Sequence, residues 1–175
     1  MSVTINGNGT ITGYTPTTFS GQIGKSNMPT GSVVQIVEGS TTTQEQPTGQ
    51  NYVMFLQKNI TPSATANSVF INAVIQYGIA TSNNADEGLG FKLTRTVSGT
   101  ETTIYESDDP YDVYCYGSQG LSETRAHKPI QFLDTGISTT SAATYKLYAR
   151  DYSGGTSSVC TAGAKSTIHL MEIKG

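Results

Sequence analysis

The chain is 175 residues long, with ten Lys and Arg against thirteen Asp and Glu, a formal net charge of −3 and only 13% charged residues. That length gives one domain with a substantial core, and basic residues scattered singly leave no stripe to neutralise phosphates, which excludes a nucleic-acid partner. No apolar run of about 18 residues is present to cross a membrane, so no membrane partner is expected.

Ser, Thr and 19 Gly are abundant and Trp is absent, a poor composition for helices and a good one for short strands and turns. Residues 1–30 differ from the rest. Asn6-Gly-Asn-Gly-Thr10, Thr12-Gly-Tyr-Thr-Pro16 and Asn27-Met-Pro-Thr-Gly31 break the chain, with isolated apolar residues between them: Val3, Ile5, Ile11, Tyr14, Phe19 and Ile23. This spacing cannot build a core. It suits an extended docking arm that lays single side chains into pockets on a neighbour or on the body of the fold. Met1-Ser-Val-Thr-Ile-Asn-Gly7 lacks the basic start and apolar middle of a secretory signal, so synthesis and folding in a cytoplasm are expected.

Strand signals begin at Ser32 and define a body over residues 31–175. Val33–Val37 and Tyr52–Ile60 come first. Val69, Ile71, Ala73, Ile75 and Tyr77 then alternate with residues that include Phe70 and Val74. A strand apolar on both faces predicts the centre of a sheet. Gly90–Val97, the Ser98-Gly99 turn and Thr102–Glu106 read as a hairpin. Further strands are expected at Val113–Tyr116, Ile130–Leu133, Tyr145–Arg150 and Thr167–Ile173. The last two are the most regular. Tyr145, Leu147 and Ala149 oppose Lys146, Tyr148 and Arg150, and Ile168 and Leu170 oppose His169, Met171 and Ile173. Such alternation marks half-buried strands, and the final one is expected to lie locked inside a sheet. No window holds a helical period. Eight or nine strands match a jelly roll or a similar sandwich. Spacing alone does not separate a jelly roll from an immunoglobulin-like sandwich, although no Cys…Trp…Cys pattern supports the latter.

Little in the chain resembles catalytic machinery. His127 and His169 belong to no catalytic motif, no Gly-x-Ser-x-Gly elbow is present, and Gly7-Asn-Gly9 opens no helix for a phosphate. His169, within a strand, is expected to act across strands or at a subunit contact. Cys115 and Cys160 are expected to be free thiols, small and at least partly buried. Glu106-Ser-Asp-Asp-Pro-Tyr-Asp112 packs four carboxylates into seven residues. Calcium needs several oxygen ligands from such a loop, but the spacing does not match an EF-hand and Pro110 supplies an ordinary reason for a solvated acidic turn. No metal and no cofactor are expected. Tyr105, Tyr111, Tyr114 and Tyr116 interleave with Asp108 and Asp109. Tyrosine offers a flat apolar face with a hydroxyl, suited to sugar rings or a protein interface. The alternative is that these are ordinary strand residues, with Tyr114 and Tyr116 packing on one face; if the chain carries a recognition surface, this stretch is the candidate, with the loops Ser82–Gly88 and Asp151–Lys165 beside it.

The pairing of Thr144-Tyr-Lys-Leu-Tyr-Ala-Arg150 with Ser166-Thr-Ile-His-Leu-Met-Glu-Ile173, together with Gly31-Ser-Val-Val-Gln-Ile-Val37 and Pro129-Ile-Gln-Phe-Leu-Asp134, resembles a family of short β-rich bacteriophage virion proteins of marine and cyanobacterial phages. The resemblance covers roughly Gly31 to Ile173. It implies an all-β, jelly-roll β-sandwich that forms a homotrimer on the particle surface. The expected role is non-enzymatic capsid decoration or cement, with the arm docked on a major capsid protein or on a tail or fibre protein. The alternative is a tail-fibre tip or knob that binds a host-surface receptor or glycan. A cellular carbohydrate-binding module is a third class, disfavoured by the absence of Trp and of a secretion signal.

Overall fold

The computed structural model describes residues 28–80, 86–107, 111–115, 123–152 and 156–175. The described residues form ten strands: β1 (Val33–Thr41), β2 (Val53–Ile60), β3 (Ser68–Ile79), β4 (Glu87–Val97), β5 (Thr100–Glu106), β6 (Val113–Cys115), β7 (Thr124–Asp134), β8 (Ala143–Asp151), β9 (Ser158–Val159) and β10 (Ser166–Ile173). The described residues contain no α-helix; one short 3-10 turn spans Thr161–Gly163.

The strands form two five-stranded sheets. The first runs β1-β10-β3-β7 with β9 also on β3, and the second runs β2-β8-β4-β5 with β6 also on β4. All pairings are antiparallel. The principal pairs are nested: β1 with β10, β2 with β8, β3 with β7, and β4 with β5. Successive pairs alternate between the sheets, as when one long hairpin is rolled over a barrel. This is jelly-roll topology, and it resolves the choice against an immunoglobulin-like sandwich.

Alternation builds the core. From the first sheet Val69, Ile71, Ala73, Ile75, Ile168 and Leu170 point inward; from the second Leu89, Phe91, Leu93, Tyr145 and Leu147 meet them, each of these fully buried. As expected, β10 lies inside its sheet between β1 and β3, and β8 inside the other between β2 and β4. The β4–β5 hairpin also forms, with Ser98 at φ 48° and Gly99 at φ 83°. Two consecutive residues in the left-handed region match the twist that a tight hairpin turn needs.

Three expectations are corrected. β3 is central, but its outward residues Phe70, Asn72 and Val74 are only half-buried, because no layer of the described residues covers that face. β7 starts six residues earlier than Ile130 and includes Pro129. Its place at a sheet edge is where a residue without an N–H is tolerated. β9, inside the expected loop Asp151–Lys165, pairs with Tyr77 and Gly78 of β3. Beside it, Gly78 admits the Thr161 side chain so closely that an added Cβ would sit 2.5 Å from Oγ1. Gly78→Ala should displace this turn and cost about 1–3 kcal/mol, read as a lowered denaturation midpoint with little change in slope.

Candidate functional site

The expected arm residues Ile5, Ile11, Tyr14, Phe19 and Ile23, and Asp108, Asp109 and Tyr116 of the expected recognition surface, lie outside the described residues. The remaining three tyrosines do not act together. The structure stacks Tyr111 on Tyr114, with ring centroids 4.6 Å apart and 20° between planes. Tyr105 is turned away from them. The β4–β5 ladder shifts register after Leu93, leaving Ile104 between the paired Tyr105 and Thr103. This bulge puts Tyr105 beside the inward Leu93, where it packs against the core.

Tyr105 instead donates its hydroxyl to Asp112. The same carboxylate accepts from Ser107 Oγ and from the Phe91 N–H at 3.1 Å, and it pairs with Lys128 at 3.1 Å. Burial alone would raise its pKa; the bonds from Ser107, Tyr105, Lys128 and Phe91 together hold it below the usual aspartate range. Asp112 therefore ties the second sheet to β7 of the first. It is a structural anchor at the foot of the expected recognition loop.

The third partner of Tyr111 and Tyr114 is Tyr152, which meets Tyr111 edge-on at 4.5 Å. The backbone of Gly88 makes room for this cluster: a Cβ there would stand 3.0 Å from Tyr111. Gly88 shares its register position with Tyr114 on β6, and its carbonyl accepts from the Tyr152 N–H. The cluster is one end of a longer aromatic surface on the outer face of the second sheet. Along β8, Lys146, Tyr148 and Arg150 point outward between the buried Tyr145, Leu147 and Ala149. Lys92 of β4 lies opposite Tyr148 and Glu106. Its Nζ sits 4.3 Å from the Tyr52 ring centroid and 5.0 Å from that of Tyr148. Arg150 Cζ lies 4.7 Å from the Tyr52 centroid. Burial pushes the Tyr52 hydroxyl up to about 12, with Arg150 pulling it down and Glu106 pushing it up. Tyr52 is therefore a neutral ring facing two cations. Tyr148 donates to Glu101, and Lys146 pairs with the same carboxylate at 2.7 Å.

The outer face of the first sheet differs. Register places Ile36, Met171, Phe70 and Leu133 in one row across β1, β10, β3 and β7. Ile36 is 57% exposed and Leu133 49%. The next row is polar, Glu38, His169, Asn72 and Gln131, with His169 Nε2 3.8 Å from Glu38. His127 is exposed on this same outer face, while half-buried Cys115 is on β6 of the other sheet and Cys160 is buried; both thiols are free. The sandwich thus separates Cys115 from both imidazoles, and no thiol–imidazole couple is assembled. Among the described residues no group of three or more His, Cys, Asp or Glu is placed to hold a metal ion.

The topology defines a jelly-roll sandwich with two chemically distinct outer faces. No protein-family model and no characterised protein sequence matches the chain. Among solved structures it is similar to the VP2 subviral particle of infectious bursal disease virus, at TM-score 0.45 and 16% identity over 82% of this chain and 34% of that one. It is also similar to the structure of infectious bursal disease virus Gt strain, at TM-score 0.40 and 17% identity over 83% of this chain and 37% of that one. The chain thus spans about a third of the length of each of these.

Proposed function

We propose that the chain is a non-enzymatic structural component on the surface of a phage particle, working as a homotrimer in capsid decoration. The observation that carries this reading is the apolar row Ile36–Met171–Phe70–Leu133. The open face of an antiparallel sheet is normally polar, and a row of large apolar side chains from four strands marks a surface that another chain covers.

The occupant is the segment 1–27 of a neighbouring copy. Met28 is held at the corner of this face, where Lys174 Nζ donates to its carbonyl and Gly31 N–H donates to Lys174 O at 2.8 Å. Val33, 42% exposed, and its partner Ile173 begin the apolar surface there. The segment carries apolar residues singly, at a spacing suited to filling such a row, and its polar residues would face water. An arm laid on the next copy is a heterologous contact, which closes into a three-membered ring when successive copies are related by a third of a turn. A trimer held this way bridges neighbouring capsid subunits and adds buried area to the shell.

Light scattering on the purified full chain should give three times the 18.5 kDa chain mass. Removing residues 1–27, or combining Ile36→Asp with Leu133→Asp, should give monomers with unchanged strand content. A monomeric full chain overturns the trimer, and a trimer that survives the truncation overturns the arm as its occupant. Labelling on intact particles then separates the roles: hundreds of copies over the shell mean decoration, and a few at the tail mean a receptor-binding knob. That second reading is favoured by the tyrosine and cation surface on the opposite face.

A further inference from the structure

We propose that Tyr52, Lys92, Tyr148 and Arg150, on the outer face of the second sheet, form a binding site for an acidic sugar residue, one bearing a single carboxylate or sulfate. Charge pairing and ring contacts together mark this place. Arg95, Arg125, Lys128, Lys146 and Lys165 each reach a carboxylate within 4.0 Å. Among the described residues, Lys58, Lys92 and Arg150 have no ion-pair or hydrogen-bond partner; of these Lys92 and Arg150 lie together against one ring, and Arg150 Nε is shielded from solvent without a partner. Both are positioned by a tyrosine ring instead. A cation held over a ring is oriented while keeping its full charge for a ligand, and two such cations beside one ring are a preorganised receptor for an anionic group.

The surroundings limit what can be bound. Glu106 faces Lys92 by register, and Glu101 takes the hydroxyl of Tyr148 and the ammonium of Lys146. These acids bound the positive spot on one side, so it accommodates one anionic group and repels a polyanion. The same acids, with the tyrosine hydroxyl, are acceptors and donors for sugar hydroxyls. The site needs only that this face be open. It is therefore independent of the apolar row and of the trimer, and holds on a decoration protein or a knob alike.

The test is titration of the full chain, followed by amide NMR, with an oligosaccharide ending in a uronic acid, with its carboxyl-reduced neutral counterpart and with a sulfated analogue. Shifts should cluster at Tyr52, Lys92, Tyr148 and Arg150. The neutral sugar should bind at least about tenfold more weakly, and raised salt should weaken the acidic one. Lys92→Gln and Arg150→Gln should each lose about tenfold, whereas Lys165→Gln, at an exposed pair on the other sheet, should lose nothing. The sulfated analogue sets which anion is preferred. Equal binding of acidic and neutral sugars, no binding of either, or full binding by Lys92→Gln in a chain with unchanged melting temperature would each overturn the site.

Discussion

Asp134→Ala is expected to cost about 3–5 kcal/mol, the range for leaving a buried charge without its partner. Asp134, at the end of β7 in the first sheet, is almost fully buried, and both its oxygens lie 2.7 Å from Arg95 Nη1 on β4 of the second. Tyr145 on β8 donates to it at 2.8 Å, and the Gly136 N–H at 3.0 Å. Burial, reinforced by the charge of Asp134, pushes the Tyr145 hydroxyl far up, so it stays a donor at any working pH. With the pair of Asp112 and Lys128 near the middle of β7, this group joins the two sheets at two points along that strand. For a chain of this size the loss corresponds to a fall of roughly 10 °C in melting temperature. Arg95→Met combined with Asp134→Leu should cost much less than Asp134→Ala, since no orphan charge remains. Equal losses in the two would show that lost packing, and not the charge, sets the cost.

The second large effect is at Glu172, a fully buried carboxylate on β10 that pairs with no cation among the described residues. It accepts from Asn67 Nδ2 at 2.5 Å, Ser63 N–H at 2.6 Å, Ser63 Oγ at 2.7 Å and Gln35 Nε2 at 2.6 Å. Three segments, β1, β10 and the β2–β3 connection, are thereby tied to one side chain. Glu172→Ala leaves these donors facing a void, at about 4 kcal/mol. The same geometry sets a pH dependence. Burial alone would raise the carboxyl, but the bonds from Asn67, Ser63 and Gln35 hold it below the usual glutamate range. A folded pKa below the unfolded one stabilises the fold fully above the unfolded value, and the contribution disappears as pH falls through the folded one. The melting temperature should therefore drop on acidification below about pH 4.5. Glu172→Gln should be less stable at neutral pH and show a shallower acid limb; an acid limb identical to that of the parent would remove Glu172 as its source.

Most of the fold was legible in the chain because a sheet side chain reports its face by parity. Tyr145, Leu147 and Ala149 go in, and Lys146, Tyr148 and Arg150 go out, as alternation requires. Parity fails where the backbone departs from it. The bulge at Ile104 sends Tyr105 inward, so a surface of adjacent tyrosines loses a member. Glu172 was legible in principle: it shares the inward parity of Ile168 and Leu170, and a carboxylate at such a position demands partners. Those partners, Ser63, Asn67 and Gln35, lie more than a hundred residues away in sequence, beyond any local pattern. The tyrosine and cation surface was hidden for the same reason. Tyr111 and Tyr114 are neighbours in the chain, but Tyr152, Tyr52 and Lys92 join their face only through strand register.

The nested strand order also governs how the protein can be made. β1 is hydrogen-bonded to β10, whose last residue is number 173, and β2 is hydrogen-bonded to β8. On a ribosome the first two strands therefore emerge long before their partners exist, with edges open to any other chain. The innermost hairpin, β4 with β5, can close first, with β6 soon after on β4, and the sheets must then accrete outward until β10 slides between β1 and β3. Pairing across such distances is slow, on the order of milliseconds to seconds. A nascent chain of this design benefits from sparse charge being offset by abundant Ser, Thr and Gly, which keep the waiting strands hydrated.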